Sequence, residues 1–181
     1  MTFIKKLTAS GSGTLSFVHG ASGVVLNDTY KEYVFTFNNI HPQTDNIHFQ
    51  FNMSTDGGSN YNVTKTTTFC RAYHDEGIEG EELEYQGSRD LAQSTSAHIL
   101  ASDLENANDA SSAGSMSLYN PSSTTFVKHF ISRTTALAAD YYNYHVFTAG
   151  YGNTTSAVDA IQFTMSSGNI DAGTITLYGI N

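Results

Sequence analysis

The C-terminal stretch from Thr154 to Asn181 reads TTSAVDAIQFTMSSGNIDAGTITLYGIN and contains two alternating runs separated by a turn. Apolar residues alternate with polar ones in both runs, at Ile161, Phe163 and Met165 and then at Ile175 and Leu177. Successive side chains of a β-strand point to opposite faces of the sheet, so each run presents one apolar and one polar face. The stretch therefore predicts two strands that each place one face on a core.

The same alternation recurs along the chain between clusters of Gly, Asn, Asp and Ser. Its clearest case is Ile47, Phe49, Phe51 and Met53, which a strand stacks on one side and a helix would scatter around its circumference. The predicted strands are Phe3–Leu7, Thr14–Val18, Glu32–Asn38, Ile47–Met53, Thr66–Tyr73, Ser115–Tyr119, Phe126–Arg133, Tyr141–Ala149, Val158–Met165 and Thr174–Tyr178.

About ten short strands with turn signals between them predict an all-β fold. We expect an antiparallel two-sheet β-sandwich, jelly-roll-like, in a single domain over residues 1–181. The segment 75–113 has the weakest strand pattern and the densest acid, and we expect it to be a long acidic loop excursion. Part of it, Asp90–Leu104, is predicted to form a short helix.

The charge balance argues against several classes of partner. Eight Lys and Arg against seventeen Asp and Glu give a formal charge of −9, so the chain lacks the cationic field that phosphate binding requires. We therefore expect no nucleic-acid partner. No apolar stretch approaches the roughly 18 residues that a membrane-spanning helix needs, so no membrane insertion is expected.

Acidic residues after Tyr73 are weak candidates for a metal site. Asp75, Glu76 and Glu79 supply hard oxygen donors that calcium could use, but their spacing matches no known calcium loop. A second acidic group is Asp103, Glu105 and Asp109. The simpler interpretation is that both groups lie in solvated acidic loops, and no metal or other cofactor is predicted.

Catalytic motifs do not stand out in the sequence. There is no Gly-x-Ser-x-Gly elbow, and no nucleophile, base and orienting group can be named together. The single cysteine, Cys70, cannot form an intrachain disulfide and is expected to be a structural residue. We predict that the protein is not an enzyme.

An aromatic stretch is the strongest candidate for a ligand or interface site. Its members are Tyr141, Tyr142, Tyr144, His145 and Tyr151. Strand alternation places Tyr142 and Tyr144 on one face and Tyr141 and His145 on the other, so some of these rings are expected outside the core. Exposed tyrosines suit both protein interfaces and sugar stacking. The alternative is that they cover one end of the sandwich.

Three stretches carry a resemblance to known proteins: Phe35–Phe51 (FTFNNIHPQTDNIHFQF), Tyr119–Phe130 (YNPSSTTFVKHF) and Ser166–Ile180 (SSGNIDAGTITLYGI). They resemble small β-sandwich virion structural proteins of tailed bacteriophages, many of them marine, of the tail-fibre or decoration type. The resemblance covers most of the chain. It implies a virion context and localisation, with assembly in the host cytoplasm, and it implies no reaction.

These observations lead to one leading hypothesis and two alternatives. The leading hypothesis is a non-enzymatic structural protein displayed on the virion surface, as a capsid decoration or a tail-associated subunit. Its partners would be other virion proteins and further copies of itself, with a trimer as one candidate state. The first alternative is a lectin-like adhesin at the tail or fibre tip that recognises host surface glycan. The second is a polysaccharide hydrolase.

Overall fold

β-Strands form nearly all of the regular structure. The computed structural model describes residues 1–77 and 80–181. Within these residues there are twelve strands and a single 3₁₀ turn at Ala139–Tyr141. The strands are β1 (Thr2–Thr8), β2 (Thr14–Val18), β3 (Glu32–Pro42), β4 (Ile47–Ser54), β5 (Lys65–Asp75), β6 (Glu81–Tyr85), β7 (His98–Leu104), β8 (Ser112–Tyr119), β9 (Lys128–Ala138), β10 (Tyr142–Gly152), β11 (Ala160–Met165) and β12 (Ile170–Ile180).

The prediction of an all-β fold is confirmed, and every one of the ten predicted strands overlaps an observed one. Two strands, β6 and β7, were not predicted. The expected helix over Asp90–Leu104 is wrong, because the second half of that segment is β7 and pairs with β4. Segment 75–113 is accordingly not one loop, since it contains β6, β7 and the first residues of β8.

All strand pairings are antiparallel, and they fall into two rows. The long row has the order β1-β12-β3-β8-β9-β10-β5-β6, and the short row has the order β7-β4-β11-β2. The rows are joined where Leu104 of β7 lies opposite Ala138 of β9. Together they make one twelve-stranded sheet that is nearly closed on itself.

Aromatic rings from the two rows pack against each other and form the main core. Phe163 of the short row lies 5.3 Å from Phe35 and 5.4 Å from Phe37 of the long row, measured between ring centroids. Phe51 and Phe130 make the same kind of contact at 4.8 Å. All five rings are buried, so removing any one of them is expected to cost about 3–5 kcal/mol of folding free energy. Each row therefore has an inner face on this core and an outer face away from it.

Irregular pairing marks β7. Its register against β4 shifts twice, between Ile47 and Phe49 and between Phe49 and Gln50. Asp103 of β7 has a φ of +55°, which is unusual for a residue other than glycine and is tolerated best by Asn and Asp. The bulged backbone turns the Asp103 side chain toward Arg71 and Arg89, both of which it contacts.

Candidate functional site

Strand β10 divides the predicted aromatic site between two faces. Tyr142 and Tyr144 belong to the inner face and pack in a small hydrophobic cluster with Phe69 and Val146 of the long row. His145 and Tyr151 belong to the outer face by the alternation of the strand. Tyr141 lies in the 3₁₀ turn before β10 and is 60% exposed. The five residues therefore do not form one site.

Tyr144 is occupied by an internal contact. The guanidinium carbon of Arg71 lies 4.4 Å from the centroid of the Tyr144 ring and 5.1 Å from that of Tyr73. A cation this close to an aromatic face is attracted by the ring quadrupole. Burial raises the pKa of the Tyr144 hydroxyl above its ordinary value. Tyr144 is thus a packing residue beneath the guanidinium of Arg71. Arg71 is 73 positions away in the sequence, so no local sequence pattern predicts this contact.

A group of charged residues surrounds this contact, and we call it the charged clamp: Arg71, Glu84, Arg89 and Asp103. Arg71 donates from Nε to Glu84 over 2.5 Å and from Nη1 to Asp103 over 3.1 Å, and Arg89 donates to Asp103 over 2.9 Å. The side chains of Arg71 and Asp103 are 13% and 15% exposed. The clamp therefore links β5 and β6 of the long row to β7 of the short row.

His48 lies beside the clamp. Its Nδ1 accepts a hydrogen bond from the backbone N–H of Asp103 over 3.1 Å. Burial and the nearby Arg89 charge lower the pKa of His48, and these effects outweigh the opposing influence of the Asp103 carboxylate. A neutral His48 at physiological pH is consistent with its role as an acceptor. The acids of the clamp are held in ion pairs, so the arrangement joins strands and does not present a free general base.

The outer face of the long row carries a shallow groove, which we call the outer groove. It consists of two adjoining cavities of about 440 and 410 Å³ that share Thr68, Ile131 and Ala149. One end is lined by Tyr119, His129 and Tyr151, and the other end by Cys70, Arg133 and Phe147. Strands β5, β10, β9 and β8 supply these side chains, because residues that lie opposite one another across paired strands share a face.

The chemistry of the outer groove is apolar with hydroxyl groups at its margin. Ile131 projects from the centre and is 51% exposed, although it is a large aliphatic residue. At one end of the groove the ring centroids of His129 and Tyr151 lie 6.0 Å apart. Among the described residues that line the two cavities there is no carboxylate. Such a surface can bind an apolar or aromatic protein side chain, or the face of a sugar ring.

His145 borders the groove next to Phe147, with ring centroids 4.2 Å apart. Its Nε2 lies 3.3 Å from a guanidinium nitrogen of Arg133. Burial and the Arg133 charge both lower the pKa of His145, so the neutral ring accepts a hydrogen bond from the guanidinium at neutral pH. Of the five predicted aromatic-site residues, Tyr151 lines the groove and His145 borders it.

Buried polar residues that the sequence did not single out lie inside the sheet. Lys65 and Lys128 begin β5 and β9 and flank Gly152 of β10 across the paired strands. Lys65 donates from Nζ to Asn52 Oδ1 over 2.5 Å and to the Val63 carbonyl over 2.7 Å. Lys128 donates to the carbonyls of Phe126 and Thr154. Each lysine thus ties the loop before its strand to a second segment.

The acidic metal candidates are not gathered into a site in the described part of the chain. Asp75 ends β5, Glu76 is exposed in the loop that follows it, and Glu79 lies outside the described residues. Among residues 1–77 and 80–181, no three His, Cys, Asp or Glu side chains come close enough together to hold a metal ion. In the second acidic group, Asp103 belongs to the charged clamp, while Asp109 lines a separate polar cleft of about 400 Å³.

Comparisons with known proteins returned no relatives: no protein-family model, no curated protein and no solved structure matches this chain. In the described residues, no helix has the length and apolar character needed to cross a bilayer.

Proposed function

We propose that this protein is a non-enzymatic structural subunit of a tailed-phage virion, displayed on the particle as a capsid decoration or a tail-associated protein. The virion context comes from the sequence resemblance at Phe35–Phe51, Tyr119–Phe130 and Ser166–Ile180. The observation that carries the functional class is the outer groove, with Ile131 half-exposed at its centre. An exposed apolar recess of this kind is a surface on which a neighbouring subunit can pack.

The finer fold assignment forms part of the proposal: the two rows are the two sheets of a jelly-roll sandwich. It is supported by the alternation of the chain between the rows, since β1, β3, β8 and β12 lie in the long row and β2, β4, β7 and β11 lie in the short row. The remaining strands, β5, β6, β9 and β10, extend the long row beyond β8. These added strands supply most of the outer groove.

Protein partners are favoured by the composition of the groove. Interface cores are rich in aromatic residues and depleted of acidic side chains. The described lining of the outer groove has the same character, since it includes Tyr119, Phe147 and Tyr151 and no acidic side chain. Ile131 joins the two cavities into one contiguous apolar surface, and such a surface is the kind that a partner covers. In the proposed role, another virion protein lies on this face.

The proposal is tested by incorporation into phage particles. Ile131→Asp places a charge in the centre of the groove, on the solvent side of β9, and is expected to leave the core intact. The number of copies per purified particle is expected to fall at least tenfold, which corresponds to a loss of about 1.4 kcal/mol or more of binding free energy. Phe126→Asp is the matched control, because Phe126 is also exposed but does not line the groove.

Quantitative mass spectrometry of purified particles measures the copy number. Hundreds of copies would identify a capsid decoration, and three to a few dozen would identify a tail protein. Absence of the wild-type chain from the particles would overturn the proposed function.

A second candidate, the lectin-like adhesin, is favoured by one end of the same groove. There the rings of His129 and Tyr151 stand next to the hydroxyls of Thr66 and Thr68, a combination suited to stacking and hydrogen bonding with a sugar. A glycan array made from host surface polysaccharide tests this function. Binding that is lost in Tyr151→Ser and kept in Tyr141→Ser would favour the adhesin, and no binding to any glycan would rule it out.

A further inference from the structure

The long row has two strand edges without a neighbour in the described part of the chain. At one end, β1 pairs with β12 along one side. At the other end, β6 pairs with β5 along one side. The outward N–H and C=O groups of such edges are a template for pairing with another strand. These two edges lie at opposite ends of a row of eight strands.

The two edges carry opposite charge. β1 contains Lys5 and Lys6, the only adjacent pair of cations in the sequence. β6 contains Glu81, Glu82 and Glu84. Glu84 is paired with Arg71 in the charged clamp, whereas the side chain of Glu81 is 70% exposed and has a partly exposed imidazole, His74, at 3.3 Å. Lys6 is exposed as well.

Exposed apolar side chains accompany the charges on both edges. Phe3 on β1 is 60% exposed, and Leu83 and Tyr85 on β6 are 72% and 56% exposed. Strands that only need to remain unpaired in water gain nothing from exposed rings and leucine. A surface that is both apolar and charge-complementary to a second surface is typical of an interface.

The exposed groups on the two edges also belong to the same face of the long row. Leu83 lies opposite Ala72, which lies opposite His145 on the outer face. Phe3 lies opposite Tyr178, and the line continues across the row through Val34 and Ser117 to Ile131. If β1 of one molecule lay beside β6 of another, the outer faces of the two molecules would be continuous and Phe3 would be near Leu83 or Tyr85.

We propose that β1 of one molecule pairs with β6 of a second copy, so that the long rows of the two molecules join into one sheet. The inference rests on the proposed function only in that a virion subunit acts in multiple copies. Backbone hydrogen bonds between the two edges supply affinity, and the contact of Lys6 with the acidic edge supplies selectivity.

Pairing of like edges is disfavoured by the same charges. Two β6 edges would bring their glutamates together, and two β1 edges would bring their lysines together, and like charges directly opposite each other on paired strands are destabilising. The contact is therefore heterologous, with a different surface on each molecule. Repetition of such a contact closes into a ring when the rotation between copies permits it.

Charge reversal on each edge tests this contact in the full-length chain. Sedimentation equilibrium is expected to show self-association of the wild type that weakens as salt is raised, because salt screens the exposed charges. Lys6→Glu and Glu81→Lys, each alone, place like charges across the contact and are expected to weaken association about tenfold or more. The chain with both substitutions restores opposite charges and is expected to associate like the wild type.

Lys31→Glu is the matched control, since it makes the same change in net charge as Lys6→Glu outside both edges. It is expected to associate like the wild type, and circular dichroism checks that every variant is folded. A wild-type chain that stays monomeric at all concentrations, or a double variant that fails to recover, would overturn the β1–β6 contact. Incorporation of a monomeric wild type into particles would leave the proposed function standing, so the two failures are distinguishable.

Discussion

At the scale of single residues, His98 is the clearest case of a polar group placed in an apolar site. Its ring lies between Phe51 and Phe130, with centroid distances of 6.1 and 5.5 Å. Both ring nitrogens are buried and have no hydrogen-bond partner among the described residues. Burial lowers the pKa of His98 to about 3, and the nearby charge of Lys65 lowers it in the same direction. The folded protein therefore holds this imidazole neutral.

Replacing His98 with phenylalanine is expected to stabilise the protein and to reduce its acid sensitivity. At neutral pH the gain is about 1 kcal/mol or more, because an unsatisfied buried polar group is removed. The unfolded chain protonates His98 below pH 6.5 and the folded chain only near pH 3, so wild-type stability falls as the pH drops through that range. At about pH 5 the variant avoids roughly 2 kcal/mol of that loss.

Urea unfolding of both proteins at pH 7 and at pH 5 measures the difference. Ser96→Ala, in the exposed loop just before β7, serves as a neighbouring control. It should change the free energy of unfolding at either pH by no more than about 0.5 kcal/mol. An identical pH dependence in the wild type and His98→Phe would contradict the assignment of a neutral, unsatisfied His98.

Lys65 is expected to make the stability of the protein depend on pH in the alkaline range. Burial lowers the pKa of its ammonium group from 10.5 to about 8. Below pH 8 both states are charged and the folded state bears the cost of burying the charge. Between about 8 and 10.5 the folded amine is neutral while the unfolded one is still protonated, so stability rises with pH.

We expect the wild type to gain about 1–2 kcal/mol of unfolding free energy from Lys65 between pH 8 and 9.5, and Lys65→Met to lack that part of the gain. Denaturant titrations at the two pH values provide the measurement. Lys31→Met, an exchange of another lysine in the loop before β3, is the control for the general effect of removing an amine. If both variants respond to pH as the wild type does, the Lys65 interpretation fails.

At the scale of elements, the charged clamp joins parts of the chain that are distant in sequence. Arg71→Met and Asp103→Asn each remove one charge, and asparagine tolerates the positive φ of position 103, so the backbone need not change. In a double-mutant cycle, the coupling between the two residues is expected to be about 1–2 kcal/mol, because both side chains are largely buried. The exposed pair His74 and Glu81 should couple by less than about 0.5 kcal/mol.

Thermal or denaturant unfolding of the two single variants and the double variant gives the coupling energy for each pair. Equal coupling in the clamp and in the exposed pair would show that the clamp does not hold β5 to β7.

The strands that the sequence predicts are those with an uninterrupted alternation. Ile47, Phe49, Phe51 and Met53 are all buried on β4, as their spacing indicates, and Ile161 and Phe163 are buried on β11. Alternation does not predict β7, because its two register shifts place Leu100, Ala101 and Ser102 in succession in buried positions and so break the period of two. β6 was not predicted because it is a five-residue edge strand with only two apolar residues, Leu83 and Tyr85, and both are exposed instead of facing the core.

The candidate site was predictable only in part, for a related reason. Alternation correctly separates Tyr144 from His145, but it does not tell which face is the inner one. That depends on Arg71 and Phe69 of β5, which pair with β10 across more than 70 residues of sequence. The outer groove likewise takes its members from four strands. A local pattern holds no information about such long-range neighbours.

At the scale of the whole molecule, the joined rows and shared core predict cooperative unfolding. Contacts such as Phe163 with Phe35 and Phe51 with Phe130 belong to both rows, so neither row keeps its buried face if the other opens. We expect one transition in denaturant, with tyrosine fluorescence and far-ultraviolet circular dichroism giving coincident midpoints. Two separated midpoints would indicate that the strands added beyond β8 unfold on their own.

The position of the only sulfhydryl group makes the outer groove open to chemical footprinting. Cys70 is the single cysteine of the sequence, is neither fully buried nor fully exposed, and lines the groove beside Phe147. A maleimide reagent can therefore attach a reporter there without any engineered residue. Its labelling rate is expected to fall when a partner covers the groove, so one native thiol reports occupancy directly in the intact assembly.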